Sequence, residues 1–141
     1  MHAYRYERLV QWGDCDPAGI IYFPNYLRWV ADGLTALFLD LGVDPTDSKD
    51  RDTITGLPSV NCSLSFHSPA RYHDRITHEI RIARLGTKSL DVAHRFSRAD
   101  ACLAEAQERR VWAEMNIRDG KLTAVPIPGD IRTMLEGNRS H

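Results

Sequence analysis

One stretch of helical periodicity sits in a chain that otherwise reads in twos. Between Pro24 and Leu41 the apolar residues Tyr26, Trp29, Val30, Gly33, Leu34, Leu37, Phe38 and Leu41 recur at i, i+3, i+4, i+7 and i+8. Arg28, Asp32, Thr35 and Asp40 fall off that stripe. The stripe is wide, so the spacing predicts a largely buried helix. Pro24-Asn25 is a suitable start, Gly42 suits the position just past the end, and Pro45 lies beyond it. Gly33 costs a helix interior about 1 kcal/mol relative to Ala, which predicts a close approach to a packed neighbour.

From Leu57 onward the period changes to two. Val60, Cys62, Leu64 and Phe66 alternate with Asn61, Ser63, Ser65 and His67. Ile76, His78, Ile80 and Ile82 then alternate with Thr77, Glu79 and Arg81, and Gly86 ends that run. Leu90, Val92, His94 and Phe96 make a third run, with a turn at Ala99-Asp100-Ala101. Leu103 to Arg110 has a helix-like composition, but the hairpin before it needs a partner, so it is read as strand. It continues into Val111, Ala113, Met115 and Ile117. Tyr4 to Trp12 is an earlier strand, Asp119-Gly120 a tight turn, and Asp130 to Glu136 a short closing helix. Val43 to Gly56 carries Asp44, Asp47, Lys49, Asp50, Arg51 and Asp52 and reads as an exposed loop.

A run of hairpins with one early helix cannot be a parallel α/β fold, which needs repeated crossovers. The expected class is α+β: one long central helix wrapped by an antiparallel sheet of about five strands, in a single domain spanning residues 1–141. Such a sheet leaves a face and its edges open, so a homodimer or homotetramer is expected.

Charge and cysteine usage narrow the partners. The net charge is −1, which makes no case for nucleic acid or an anionic membrane surface. The three cysteines, Cys15, Cys62 and Cys102, are odd in number and have no CxxC spacing. A disulfide framework or structural zinc site is not expected from that pattern. No signal peptide or membrane-length apolar run is present, so a cytoplasmic location is expected. No metal or organic cofactor is indicated.

The stretch that carries chemistry is Trp12-Gly13-Asp14-Cys15-Asp16-Pro17-Ala18-Gly19-Ile20-Ile21-Tyr22-Phe23-Pro24-Asn25-Tyr26. It places two carboxylates in a turn just before the buried helix. On turn chemistry alone, Asp16 before Pro17 is a turn or cap residue about twice as often as a catalytic one. Asp14 reads as structural. Cys15 has no basic partner nearby in sequence and reads as a small buried residue. His78 and His94 stand on apolar strand faces and read as hydrogen-bonded core histidines; with His67 and His73 they make no metal spacing. The basic strand residues read as solvated charges. Gly86-Thr87-Lys88-Ser89 differs: a hairpin turn with free N–H groups, a hydroxyl and a cation is suited to phosphates or amides.

That long motif, with the topology, resembles the hot-dog-fold acyl-CoA thioesterases, and the 4-hydroxybenzoyl-CoA thioesterase subgroup in particular. The likeness extends more loosely over nearly the whole chain, through Lys88-Ser89 and Asp119-Gly120. It implies a catalytic carboxylate at the second acid, Asp16, and a thioester oxygen held by the backbone N–H of Phe23 at the helix N-terminus. It implies CoA contacts at Thr87, Lys88 and Ser89 and an active site between subunits. Related bacterial thioesterases have a His just before the Asn-Tyr pair; here Phe23-Pro24 fills that region, which favours the hydroxybenzoyl type. An acidic residue on the early helix contributes to the acyl pocket in that subgroup, and Asp32 lies near that place.

The expected function is therefore hydrolysis of an aromatic acyl-CoA, 4-hydroxybenzoyl-CoA foremost, with Asp16 as nucleophile or general base. Helix-terminal N–H groups suit the developing oxyanion. The alternatives are a thioesterase for another aryl or short-chain acyl-CoA and a non-catalytic acyl-CoA-binding hot-dog domain. A hydratase would want an Asp/His pair at the helix end, and no His falls between residues 3 and 66.

Overall fold

The apolar stripe of the early segment does form a helix, α1 (Pro24–Asp40), with Pro at its first position. A computed structural model of the chain describes residues 1–47 and 50–137. The strands are β1 (Ala3–Leu9), β2 (Thr53–Gly56), β3 (Ser59–Phe66), β4 (Arg75–Leu85), β5 (Ser89–Arg98), β6 (Ala101–Val111), β7 (Ala113–Asn116) and β8 (Leu122–Ala124), and a helix α2 (Gly129–Glu136) closes the chain. Five strands make an antiparallel sheet in the order β1-β4-β5-β6-β3. No helix among the described residues is long and apolar enough to cross a membrane.

The α1 stripe lies on one face of this sheet in two blocks. Tyr26, Trp29 and Val30 pack with Ile76, Phe96, Leu103 and Ala104 at one end. Leu34, Leu37 and Phe38 pack with Ile80, Ile82, Leu90, Val92 and Trp112 at the other. Each such fully buried large side chain contributes about 1.5–3 kcal/mol of transfer free energy. Gly33 allows the close approach that its position predicts: a Cβ there would stand 2.6 Å from His78 Cε1 and 3.0 Å from Ile80 Cγ1.

Three sequence expectations are revised. Val43 to Gly56 is not all loop: Thr53–Gly56 is strand β2, paired with β7, because its β-branched residues find a partner the local sequence does not reveal. Lys49, placed in the same loop, lies outside the described residues. The strand from Tyr4 ends at Leu9 rather than Trp12, since residues Trp12–Asp14 form a 3₁₀ turn. The long strand from Leu103 does not run on to Ile117. Trp112 and Ala113 are both buried, which breaks the alternation, and β7 joins a separate sheet of order β2-β7-β8.

β3 carries its apolar residues unequally: Leu64 packs against the first core block, whereas Val60 is 58% and Phe66 52% exposed. The cause is position. β3 is an edge strand beyond β6, outside the width that one helix can cover.

Candidate active site

The chain from Gln11 to Tyr26 is a loop pinned to the first turn of α1. Asp14 opens it: its Oδ2 accepts the Gln11 N–H at 2.9 Å, which closes the 3₁₀ turn. Its backbone carbonyl accepts twice, from the Tyr22 N–H at 2.9 Å and from Asn25 Nδ2 at 2.8 Å. Arg28 Nη2 lies 3.4 Å from its Oδ1. Asp14 is thus the structural acid of the pair, as its turn setting predicts.

Asp16 heads the tight turn inside this loop. The Gly19 N–H donates to the Asp16 carbonyl at 2.9 Å, and the Asp16 N–H donates to the Ile20 carbonyl at 2.9 Å. The Ala18 N–H donates to Asp16 Oδ1 at 2.8 Å. Pro17 presets its own φ, and Gly19 takes φ +77°, a value that costs glycine little. The turn is clamped on its far side by Ile21 N–H to Ala70 C=O at 2.9 Å and Tyr72 N–H to Gly19 C=O at 3.2 Å. Asp16 is half-buried, and its Oδ2 has no hydrogen-bond partner among the described residues. One oxygen is held by the turn and the other remains available.

Cys15 is half-buried beside it. Burial, and then the negative charges of Asp14 and Asp16, push its thiol above the usual range. A thiol held protonated is a poor nucleophile, which agrees with its reading as a packing residue.

The start of α1 supplies donors sparingly. Pro24 has no N–H, the Asn25 N–H goes to the Tyr22 carbonyl, and the Tyr26 N–H goes to the Phe23 carbonyl. The Phe23 N–H has no hydrogen-bond partner among the described residues. Phe23 is also part of the wall of a cavity of about 330 Å³, with Ile20, Tyr26, Phe66 and His67. The lining is aromatic: Phe23 and Phe66 meet edge-on at 6.1 Å, and Tyr26 stands 5.7 Å from Phe66. Burial pushes the Tyr26 phenol up to about 12, so it stays protonated. Asp32 is exposed on α1 and does not line this cavity.

The second group of predicted residues lies elsewhere. Thr87, Lys88 and Ser89 form the β4–β5 turn, with Thr87 and Lys88 exposed. The Gly86 N–H donates to the Ser89 carbonyl at 2.7 Å, and Arg132 Nη1 on α2 holds the Gly86 carbonyl at 2.7 Å. This turn adjoins the end of the sheet where Leu90 packs with the second half of α1, whereas Phe96 packs with Tyr26 in the first half. At about 3.3 Å per residue, the seven steps from Ser89 to Phe96 span roughly 23 Å. One chain therefore brings Asp16 and Phe23 to the same loop–helix junction, but not Thr87, Lys88 and Ser89.

Three contributions were not evident from the sequence. The Asn25 side chain is the tie between loop and helix, Phe66 and His67 form the far wall of the cavity, and Arg132 braces the β4–β5 turn. Only Asn25, beside Pro24 in the motif, left a local signal.

Comparison with known proteins places the chain. A family model described as the thioesterase-like superfamily matches residues 10–135. The 4-hydroxybenzoyl-CoA thioesterase of Pseudomonas sp. strain CBS-3 is 35% identical over 131 residues, 88% of this chain and 91% of that protein. A 1,4-dihydroxy-2-naphthoyl-CoA hydrolase of Synechococcus elongatus is 26% identical over 96% of this chain and 97% of that one. Among solved structures, a mutant of 4-hydroxybenzoyl-CoA thioesterase complexed with 4-hydroxybenzoyl-CoA superposes with a TM-score of 0.82 at 31% identity, covering 94% of this chain and 98% of that chain.

Proposed function

The chain belongs to the thioesterase-like superfamily, has the hot-dog fold and is an acyl-CoA thioesterase acting on aromatic CoA substrates; from that premise we propose that 4-hydroxybenzoyl-CoA is its substrate, cleaved to 4-hydroxybenzoate and CoA. The observation that carries this reading is that Phe23, whose N–H has no partner among the described residues, lines an aromatic-walled cavity, with Asp16 on the loop bound to the same helical turn. An aryl acyl group fits walls made of Phe23, Tyr26 and Phe66, where offset and edge-on ring contacts are favourable.

In the proposed reaction the thioester oxygen accepts the Phe23 N–H. Negative charge developing on that oxygen is stabilised by a donor that needs no rearrangement, with the α1 dipole behind it. Asp16 acts through its free oxygen in one of two ways. As nucleophile, it attacks the carbonyl carbon, the C–S bond breaks, CoA leaves as thiolate, and water then cleaves the mixed anhydride. As general base, it takes a proton from water, the resulting hydroxide adds to the carbonyl, and the same C–S bond breaks. Both routes consume one water and yield the acid and CoA.

Thr87, Lys88 and Ser89 enter this reading from a second copy of the chain. β3 is an open edge with exposed apolar side chains. Antiparallel pairing of β3 with its counterpart about a two-fold axis reverses the second sheet. The partner's β4–β5 turn then lies at the end where Phe66 and the α1 N-terminus stand. Its lysine and free turn amides there meet the phosphates and pantetheine amides of CoA. We propose a homodimer, or a homotetramer made of two such dimers, as the working unit.

The test is thiol release from 4-hydroxybenzoyl-, benzoyl-, phenylacetyl-, 1,4-dihydroxy-2-naphthoyl- and short aliphatic CoA thioesters. The expected result is a preference for 4-hydroxybenzoyl-CoA, with Asp16→Asn lowering kcat by about 100-fold or more while binding persists. A higher kcat/KM for the naphthoyl or an aliphatic thioester would overturn the substrate. Full activity of Asp16→Asn would overturn the residue.

A further inference from the structure

Outside the loop–helix junction, the described residues contain a cluster of three different metal-ligating side chains. His67, Cys102 and Glu105 each offer one ligand atom, and those atoms all lie within 4.8 Å of one another. His67 Nε2 is 3.4 Å from Glu105 Oε2. His67 is distant in sequence from Cys102 and Glu105, and strand register assembles the three.

The register is unusual at this point. β5 and β6 pair Phe96 with Ala104 but Ser97 with Cys102, so one extra residue is inserted in β6. In consequence Leu103 and Ala104, although consecutive, are both fully buried. In a regular strand Cys102 and Glu105, three apart, point to opposite faces. The bulge resets the alternation and puts them on the same face, an effect for which bulges are recurrently used near functional sites. His67 arrives on that face from the neighbouring strand. It follows Ser65, which pairs with Glu105, by two residues. The joint is firm, because the His67 and Ser68 N–H groups both donate to the Leu103 carbonyl, at 2.8 and 3.2 Å.

We propose that His67, Cys102 and Glu105 form a binding site for a divalent cation of the Zn²⁺ class, with a fourth coordination position left to water or another small donor. Thiolate, imidazole and carboxylate together are a borderline-soft set that suits Zn²⁺ rather than Mg²⁺ or Ca²⁺. Tetrahedral coordination with bonds of about 2.0–2.3 Å puts ligand atoms roughly 3.3–3.8 Å apart. The side chains must therefore draw in by about 1 Å, and His67 and Glu105, 46% and 54% exposed, are free to rotate. Cation binding takes the proton from the thiol and cancels the charge of the carboxylate, so no net charge is buried unpaired. His67 also lines the cavity beside Phe23. The ion would thus sit at the rim of that cavity and brace the end of the open edge strand.

The experiment uses the full, reduced chain with Co²⁺ and Zn²⁺ as probes. Its readout is spectroscopic and does not depend on any substrate. The expected result is one Co²⁺ per chain, with a thiolate-to-cobalt charge-transfer band and strong visible bands of four-coordinate geometry, displaced by Zn²⁺. Cys102→Ser abolishes the charge-transfer band, and Glu105→Gln, at an exposed position that folding does not need, weakens affinity at least tenfold. The double variant Cys15→Ser/Cys62→Ser keeps the band. Absence of a charge-transfer band at saturating Co²⁺ overturns the proposal. So does a band that survives Cys102→Ser and disappears in the double variant, or an affinity that Glu105→Gln leaves unchanged.

Discussion

Asn25 Nδ2 donates to the Asp14 carbonyl oxygen at 2.8 Å, and that bond joins the loop carrying Asp16 to the first turn of the helix that Phe23 caps. The same oxygen also accepts the Tyr22 N–H. The distance between carboxylate and helix terminus is thereby fixed by the backbone of one residue and the side chain of another.

Asn25→Ala leaves the Asp14 carbonyl with its Tyr22 partner but frees the loop from the helix. Loss of one neutral hydrogen bond costs about 0.5–1.5 kcal/mol of stability. The larger effect falls on rate, since a displacement of about 1 Å at a reacting group can cost on the order of 100-fold. The expected outcome is a kcat lowered by tenfold or more with KM changed little, read from steady-state kinetics on the preferred thioester. A KM effect alone would assign Asn25 to binding instead.

Gly33→Ala tests how closely α1 approaches the sheet. Helix propensity favours Ala by about 1 kcal/mol, but the new methyl meets His78 Cε1 at 2.6 Å. That atom belongs to a buried ring held by His94 Nδ1 at 2.9 Å, so it cannot simply swing away. Overpacking of this kind costs typically 1–3 kcal/mol, and the net expectation is a lower urea midpoint despite the better helix former. Unchanged or raised stability would mean that the helix lifts off the sheet at little cost.

How far the sequence reveals these relationships depends on their range. The Asp16-Pro17-Ala18-Gly19 turn is local: Asp and Pro chemistry and a positive-φ Gly are written side by side, so the turn is readable without tertiary structure. The α1 stripe and the β4 and β5 faces are readable because each buries one periodic side against a single partner layer. The small sheet is not. β2 is four residues next to a charged segment, and its partner β7 follows a Trp112 whose burial depends on Phe38 and Ile127 far away in sequence. The cavity wall at Phe66 is likewise hidden, because β3 shows the alternation of a covered strand while standing at an uncovered edge.

His78 makes stability depend on acidity. It is fully buried on β4, linked through His94 to Glu108 and Arg110, and its Nδ1 has no hydrogen-bond partner among the described residues. Burial, then the neighbouring His94 and the positive Arg8, lower its pKa from 6.5 to about 2. The folded form therefore refuses a proton that the unfolded chain accepts between those limits. Stability is full above about pH 6.5 and falls as pH drops below it, by about 1.4 kcal/mol per pH unit for one such group. Asp74 and Asp91, whose pKa values are lowered from 3.8, add their losses only at lower pH. His78→Gln keeps a hydrogen-bonding group beside His94 and does not titrate, so urea melts between pH 4.5 and 6.5 should be flatter for this variant than for the native protein, with about one proton fewer in the linkage slope. Equal slopes would place the titration elsewhere.

Val60→Lys puts a charge on the exposed apolar side of the β3 edge, a device that blocks edge pairing. Val60 is 58% exposed within one chain, so the fold itself should be spared and the circular dichroism spectrum unchanged. Sedimentation is expected to report a shift to monomer, with loss of thioester hydrolysis if Thr87, Lys88 and Ser89 act from the second copy. A monomer with full activity would confine the whole site to one chain.

The Phe23 N–H cannot be removed by changing a side chain, but its backbone admits proline. Phe23 has φ −56°, inside the range that the pyrrolidine ring imposes. Phe23→Pro removes the unpaired N–H together with the phenyl ring, whereas Phe23→Ala removes the ring alone. The ratio of their rates isolates the donor, provided the two melt alike. Loss of one oxyanion donor typically costs about 100- to 1,000-fold in kcat, so the proline variant should fall that far below the alanine variant. If the two are equally active, the thioester oxygen takes its hydrogen bond from another group, and the free N–H at the start of α1 is only an uncapped helix end.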